Sequence, residues 1–204
     1  MKIVNRVDIA LGGGFDQSPE WATACAEVEA AVGAVDWPHG SGSFTVLPER
    51  RGNGVVPIKM PCVLHLKSLN WNTELLPPMG SVLQGGGANK TGDLDALKAF
   101  NGAYVGFEWE TGNISSSHRA LNKLVMTMTE GHLKGGILVL PTRAFANYLT
   151  DRIGNYEELK PYFPLYGQYP LPTGGAVRVI SVEHDATSAS APRIPKGTDG
   201  RAKG

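Results

Sequence analysis

Glu108 and Glu110 flank Trp109 near the middle of a 204-residue chain. Carboxylates spaced i, i+2 share one face of a β-strand, because strand side chains alternate. Val105, Phe107 and Trp109 form an apolar stripe on the other face, which would anchor such a strand. Paired carboxylate oxygens on a rigid element are the donor set Mg²⁺ favours, since this ion takes oxygen ligands octahedrally and keeps several waters. Asp95 lies upstream, across a turn predicted at Asn101-Gly102, and offers a third carboxylate. Glu74 sits on another segment and joins them only if the fold brings it there. A strand with one wet face shows the same alternation, and more often. Read alone, Asp95 is a turn or cap residue and Glu74 a surface acid. Zinc is disfavoured, as no histidine or cysteine pairs with these acids. The sequence contains no GxxxxGK[ST] phosphate loop, GxGxxG fingerprint or GxSxG elbow, and Gly85–Gly87 reads as flexibility.

These acids depend on the elements around them. Ala103–Glu110 is predicted as a strand. A helix over Ser115–Glu130 follows, with Leu121, Leu124, Val125 and Met128 spaced i, i+3, i+4, i+7. Gly136–Leu140 is a short apolar run of the kind found in strands covered on both faces, closed by Pro141. Upstream, Ser18-Pro19-Glu20 has the cap, first-turn proline and early acid of a helix start, and the helix is expected to run to about Val32. Residues 36–54 read as loop with a short strand at Ser43–Leu47. Val55–Lys59 and Cys62–Leu69 read as extended segments, 76–92 as a glycine-rich connection, and Asp93–Phe100 as a strand end or a short helical turn. Helices over Arg143–Ile153 and Tyr156–Tyr162 and a strand at Ala176–Glu183 complete the core. Residues 185–204 read as a polar tail. The expectation is one α/β domain spanning 1–204, without internal repeats.

Composition narrows the function classes. With 42% hydrophobic residues the chain has enough apolar surface for a core. No apolar run approaches membrane-spanning length. The start MKIVNRVDIALGGG shows only a short apolar patch and does not read as a signal peptide. Cys25 and Cys62 sit among apolar residues and read as reduced core thiols, which fits a reducing cytoplasm. The 19 basic and 19 acidic residues balance, which argues against a nonspecific nucleic-acid coat. They leave room for an acidic metal site beside a basic groove. The segment 193–204 carries Arg193, Lys196, Arg201 and Lys203 against Asp199 alone.

At GFEWETGNISSSHRALNKL (106–124) the chain resembles the BamHI-type restriction endonucleases of the PD-(D/E)xK nuclease superfamily. Further blocks match in the same order: NGVVPIK (53–59), NW..E (70–74), LDALKAF (94–100), NYLTDRIGNYEELKPYF (147–163) and IPKGTDG (194–200). The matches cover most of the chain from about Trp37, with residues 1–35 resembling the family more loosely. The resemblance implies a central mixed β-sheet flanked by helices. It implies metal ligands at Asp95 and Glu108, with Glu74 completing the acidic cluster, and Mg²⁺ as cofactor with Mn²⁺ able to substitute. Glu110 stands where most of the superfamily has lysine, a departure shared within the BamHI family, and there a carboxylate can orient a water for attack on phosphorus. Lys59 would orient phosphate or the active-site acids, or else is a solvated strand-end lysine.

The resemblance also implies readers of double-stranded DNA. Asn113, Ser115 and Arg119 stand at the start of the helix after the catalytic strand, where free N–H groups suit phosphate and base-edge contacts. Asp151 and Arg152 match the family's major-groove readers. Arginine can bond guanine O6/N7 and aspartate can accept from cytosine N4, so the pair can read one G·C pair; by itself it is more often a salt bridge at a helix end. Gly197 and Asp199 match a C-terminal segment that reaches DNA. Two features depart from the family pattern: the turn between Asp95 and Glu108 is shorter, and the family's basic C-terminal helix does not follow KGTDG. The implied activity is phosphodiester hydrolysis by a homodimer at a short palindrome, GGATCC if the readers match throughout, with a cognate DNA methyltransferase as a functional partner. From the residues alone, a noncatalytic DNA-binding domain and a metal-dependent phosphoesterase stay open.

Overall fold

The computed structural model describes residues 1–75, 93–150, 152–168 and 170–196, with backbone alone at Glu74 and Leu75. Its elements are β1 (Lys2–Ala10), α1 (Pro19–Gly33), β2 (Thr45–Val46), α2 (Val56–Ser68), β3 (Asn72–Leu75), β4 (Leu94–Phe100), β5 (Ala103–Trp109), α3 (Ile114–Thr129), β6 (Gly135–Pro141), α4 (Arg143–Ala146), α5 (Tyr156–Leu159), α6 (Phe163–Gly167), β7 (Ala176–Glu183) and β8 (Ala186–Thr187). The main sheet runs β1-β7-β6-β5-β4-β3. Pairing is parallel for β5–β6 and β6–β7 and antiparallel for the other neighbours, giving the mixed sheet the resemblance implied. A parallel ladder needs a long crossover, and α3 supplies it between β5 and β6.

Both faces of the sheet are covered. Along β6 every residue is buried. Ile137 and Val139 pack into the cluster that holds α1 and α2, whereas Leu138 and Leu140 pack into the one that holds α3, α5 and α6. The sheet also lets α3 come unusually close. Gly106 of β5 and Gly136 of β6 are register partners, and a Cβ on either would meet Leu124 side-chain carbons at 3.0–3.2 Å. The paired glycines leave a dent that receives Leu124.

Several expectations are corrected. The first residues form β1, antiparallel to β7, where only an apolar patch was read. Residues 55–69, expected as two extended segments, form α2. Its Pro61 lies inside the helix and removes one backbone donor, yet Ile58, Cys62 and Leu66 bury one face at spacing i, i+4, i+8, and that packing overrides propensity. Asp93–Phe100, left between strand and turn, is strand β4. The helix expected over Arg143–Ile153 stops at Ala146. Beyond it the carbonyls of Asn147 and Tyr148 accept from the N–H groups of Arg51 and Asn53, both at 2.9 Å, so helix bonding gives way to pairing between two loops. The segment expected at Tyr156–Tyr162 is α5 followed by a 3-10 turn over Lys160–Tyr162. The tail is less polar than expected: Ala186–Thr187 pairs with β2 and Ile194 is buried. Both cysteines are buried and free. Among the described residues, no helix is long and apolar enough to cross a membrane.

Candidate active site

β4 and β5 are joined by the turn at Asn101 and Gly102, both with positive φ. Their register pairs Ala96 with Phe107, and one step further it sets Asp95 opposite Glu108. Asp95 is tied on both oxygens. Its Oδ2 accepts the Trp109 N–H at 2.8 Å, across to β5, and its Oδ1 accepts from Lys59 Nζ at 2.7 Å. Lys59 thus pairs with one of the acids while part of its side chain stays in solvent, and it comes from the first turns of α2, not from a strand end. Glu110 follows β5 directly, held by its N–H bond to the Val139 carbonyl at 2.9 Å.

Opposite these acids lies α3. Lys123 sets its ammonium against Glu108 Oε1 and donates to the Asp93 carbonyl at 2.7 Å. Arg119, one turn earlier, acts on Glu110 through its charge. Glu108 is only 3% exposed. Burial pushes its carboxyl up to about 7, and the neighbouring Asp95 and Glu110 charges add to that while Lys123 opposes it. Glu110 is likewise raised, first by burial and then by Asp95, against Lys59 and Arg119. Burial pulls Lys59 down, but Asp95 beside it, with Glu108 and Glu110, holds its ammonium above the usual lysine range. Asp95, Glu108 and Glu110 therefore act on one another through their charges, against the cations of Lys59, Lys123 and Arg119.

The predicted DNA-reading residues divide into those the structure locates and those outside it. Asn113 caps α3, accepting the Ser116 N–H on Oδ1 at 3.0 Å, and Ser115 and Arg119 are exposed on the first turns. Gly154 N–H donates to the Gly112 carbonyl at 2.8 Å, which ties the Arg152 loop to the start of α3. Arg152 is exposed, with φ of 64°. Asp151, Gly197 and Asp199 lie outside the described residues, as does the side chain of Glu74. The backbone of Glu74 stands between the pairs Thr73↔Ala96 and Leu75↔Leu94, next to Asp95.

Comparison with known proteins decides the family. The profile described as "Restriction endonuclease BamHI" matches residues 1–201. The chain is 42% identical to the type II restriction enzyme OkrAI of Oceanobacter kriegii over 199 residues, 98% of each chain. It is 38% identical to the type II restriction enzyme BamHI of Bacillus amyloliquefaciens over 183 residues, 87% of this chain and 81% of that one. The chain belongs to the BamHI restriction endonuclease family. Like other members of the BamHI family, it is a type II restriction endonuclease. The crystal structure of free BglII superposes with a TM-score of 0.50 at 12% identity, over 91% of this chain and 81% of that one, and so shares the fold.

Restriction endonucleases of this type use a divalent metal, and the donor chemistry here fits one. All candidate ligands are carboxylate oxygens, which suit a hard cation, and the Glu108 carboxyl is raised first by burial and then by its acidic neighbours, so an added cation beside it would be favoured. Among the described residues, no three His, Cys, Asp or Glu side chains are grouped closely enough to enclose an ion; Glu74, beside Asp95 in register, is where a further ligand would come from. Lys123 is the site residue that sequence reasoning missed. A signal was present: Arg119 and Lys123 are spaced i, i+4 on the helix that follows Glu108 and Glu110, spaced i, i+2.

Proposed function

We propose that the chain hydrolyses double-stranded DNA at the palindrome GGATCC as a twofold-symmetric dimer, using Mg²⁺, and leaves 5′-phosphate and 3′-hydroxyl ends. The observation that carries this reading is the electrostatic union of Asp95, Glu108 and Glu110 with Lys59 at the end of a buried strand pair. The choice of palindrome rests on the likeness of the reading residues to those of the BamHI family. A dimer suits a palindrome because each subunit reads one half-site. A methyltransferase that modifies the same palindrome is the functional partner.

Asp95 and Glu108, with Glu74, would hold Mg²⁺ or Mn²⁺. Bound there, the ion supplies an activated water and offsets charge on the phosphate. Glu110 orients the attacking water and takes up its proton, a role helped by a raised carboxyl. The water oxygen bonds to phosphorus, the bond from phosphorus to the 3′ oxygen breaks, and the departing 3′ oxygen takes a proton from a solvent water to become the hydroxyl. Lys59 holds Asp95 in place through its 2.7 Å bond and adds positive charge beside the phosphate. Asn113 spends its Oδ1 on the helix cap, which leaves its amide N–H groups for DNA. Ser115 and Arg119 stand beside it, Asp151 and Arg152 read a G·C pair, and Gly197 and Asp199 bring the tail to the DNA.

The test is digestion of phage DNA by the purified protein with Mg²⁺, followed by sequencing of the fragment ends. Fragments should share GGATCC ends with 5′-phosphates, Mn²⁺ should replace Mg²⁺, and Ca²⁺ should permit binding without cutting, since its looser coordination positions water poorly. Full cutting in excess EDTA, or ends with no common palindrome, overturns the proposal.

A further inference from the structure

The turn before α2 and the loop after α4 enclose a surface cavity of about 200 Å³ whose lining includes Arg50, Arg51, Arg143 and Arg152, with Glu158 the one carboxylate among the described residues that line it. This is below the roughly 300–1,000 Å³ of ordinary small-molecule sites and suits a single anionic group. The other acid of the turn, Glu49, is engaged by Arg193. Among the described residues, neither the Arg50 nor the Arg143 guanidinium has an ion-pair partner. Arg50 and Arg143 thus bring two guanidiniums to one small space without an ion-pair partner among the described residues, a place where an anion would be favoured.

The walls are fixed in advance. The N–H groups of Arg51 and Asn53 bond the carbonyls of Asn147 and Tyr148. Buried Asn53 adds Nδ2 bonds to the carbonyls of Leu47 at 2.9 Å and Tyr148 at 3.1 Å. Arg51 and Arg152 are held at φ of 58° and 64°, a region that side-chain-bearing residues seldom occupy and that persists where surrounding contacts enforce it. The wall bearing Arg152 continues to Gly154, which is bonded to Gly112 at the start of α3. The cavity thus borders the loop that reaches back to the catalytic strand.

We infer that this cavity seats one phosphate of the DNA backbone, with Arg50 and Arg143 as its charge contacts, and so fixes the register of the Arg152 loop on the duplex. The inference rests on the function proposed above. Guanidinium forks match phosphate oxygens in bidentate fashion, and phosphate contacts position a protein without themselves reading sequence.

The experiment is equilibrium binding across a salt series, without divalent metal, for wild type, R50Q/R143Q and R50K/R143K. Each is measured on a GGATCC duplex and on one of scrambled sequence. R50Q/R143Q should bind both duplexes more weakly, with an unchanged preference ratio. Its slope of log K against log salt should be less steep by about 1 for each protomer on the DNA. R50K/R143K should keep the wild-type slope, which separates lost charge from lost structure. If wild type binds and R50Q/R143Q matches its slope and affinity, the seat is refuted while the nuclease reading stands. A changed preference ratio with an unchanged slope makes the pair base readers and also refutes it. Wild type that binds neither duplex overturns the functional reading, and the seat with it.

Discussion

Lys123 of α3 sets its ammonium against Oε1 of buried Glu108. The contact belongs to a wider match between helix and strand. Two residues along a strand advance about 6.6 Å, and four along a helix advance about 6 Å. Glu108 is therefore paired with Lys123 and Glu110 lies in the field of Arg119, with α3 running back along β5. The Gly106–Gly136 dent beneath Leu124 brings the helix near enough for the match. In the absence of metal, these cations stand where charge compensation is needed.

Replacing Glu108 by Gln should stabilise the metal-free protein at pH 8. The folded carboxyl is raised to about 7 from 4.5, so between those values the folded state holds a proton that the unfolded chain has lost. Stability contributed by this group is complete below about pH 4.5 and declines as pH rises through about 7. The cost at pH 8 is on the order of 3 kcal/mol, less whatever the neutral amide loses against Lys123. A rise in Tm of several degrees is expected, shrinking toward pH 5, together with loss of cleavage. A Tm at pH 8 below that of wild type would contradict the burial argument.

Lys123→Met should act in the opposite direction. Removing one partner of a buried pair costs roughly 3–5 kcal/mol when the remaining charge stays ionised. Here Glu108 can partly escape by taking a proton, so the loss should be smaller at pH 6 than at pH 8. Mg²⁺ should raise the Tm of Lys123→Met more than that of wild type, because the added cation replaces the missing ammonium. Equal Mg²⁺ shifts in thermal unfolding at pH 8 would show that Lys123 and the metal do not share Glu108.

Much of this site is visible in the order of residues. Strict alternation over Val105–Glu110 reveals a strand that buries one face and carries acids on the other, and the all-apolar Gly136–Leu140 reveals its central neighbour. These signals are local, and the structure keeps them. What the sequence hides is set by packing at a distance. Pro57 and Pro61 disguise α2 until Ile58, Cys62 and Leu66 are seen to share one buried face. The run beyond Ala146 has helical composition, but its carbonyls are taken by residues 51 and 53. β1 is masked by Lys2, Arg6 and Asp8, which hold polar positions of a strand whose pairing with β7 spans most of the chain. Lys123 lies in the matching block 106–124, yet its role depends on how deeply α3 docks.

Gly54→Ala should loosen the segment that carries the tail. A Cβ at residue 54 would lie 1.9 Å from the Pro195 carbonyl oxygen, and the present contact includes a Gly54 N–H bond to the Ile194 carbonyl at 2.7 Å. The overlap is with backbone, so one segment must move. Ile194 would leave its buried position, at a cost of about 2–4 kcal/mol for the exposed side chain and the lost hydrogen bond. Limited proteolysis should cut the variant after Arg193 or Lys196 much faster than wild type, while α3 and the sheet stay protected. Unchanged cleavage at those two sites would mean that the tail is not held by this contact.

Arg152→Ala tests the reading of sequence apart from the holding of phosphate. A bidentate contact between guanidinium and guanine is worth about 1–3 kcal/mol of discrimination. On a palindrome two subunits apply it, giving about 2–6 kcal/mol if the contributions add. Nonspecific binding rests on phosphate contacts and should fall much less. Binding is compared at fixed salt, in Ca²⁺, between a GGATCC duplex and one with a single G·C pair changed in each half-site. The Arg152→Ala preference should collapse toward unity while scrambled DNA is still bound. The left-handed backbone at Arg152 supplies an internal control, since Arg152→Gly relieves any strain there yet removes the same guanidinium. Both variants should lose the preference alike. If Arg152→Gly kept it, the loop conformation and not the side chain would carry the discrimination. If wild type prefers a different palindrome, the nuclease reading survives and GGATCC does not, and the changed base pair has to be sought again within that new site.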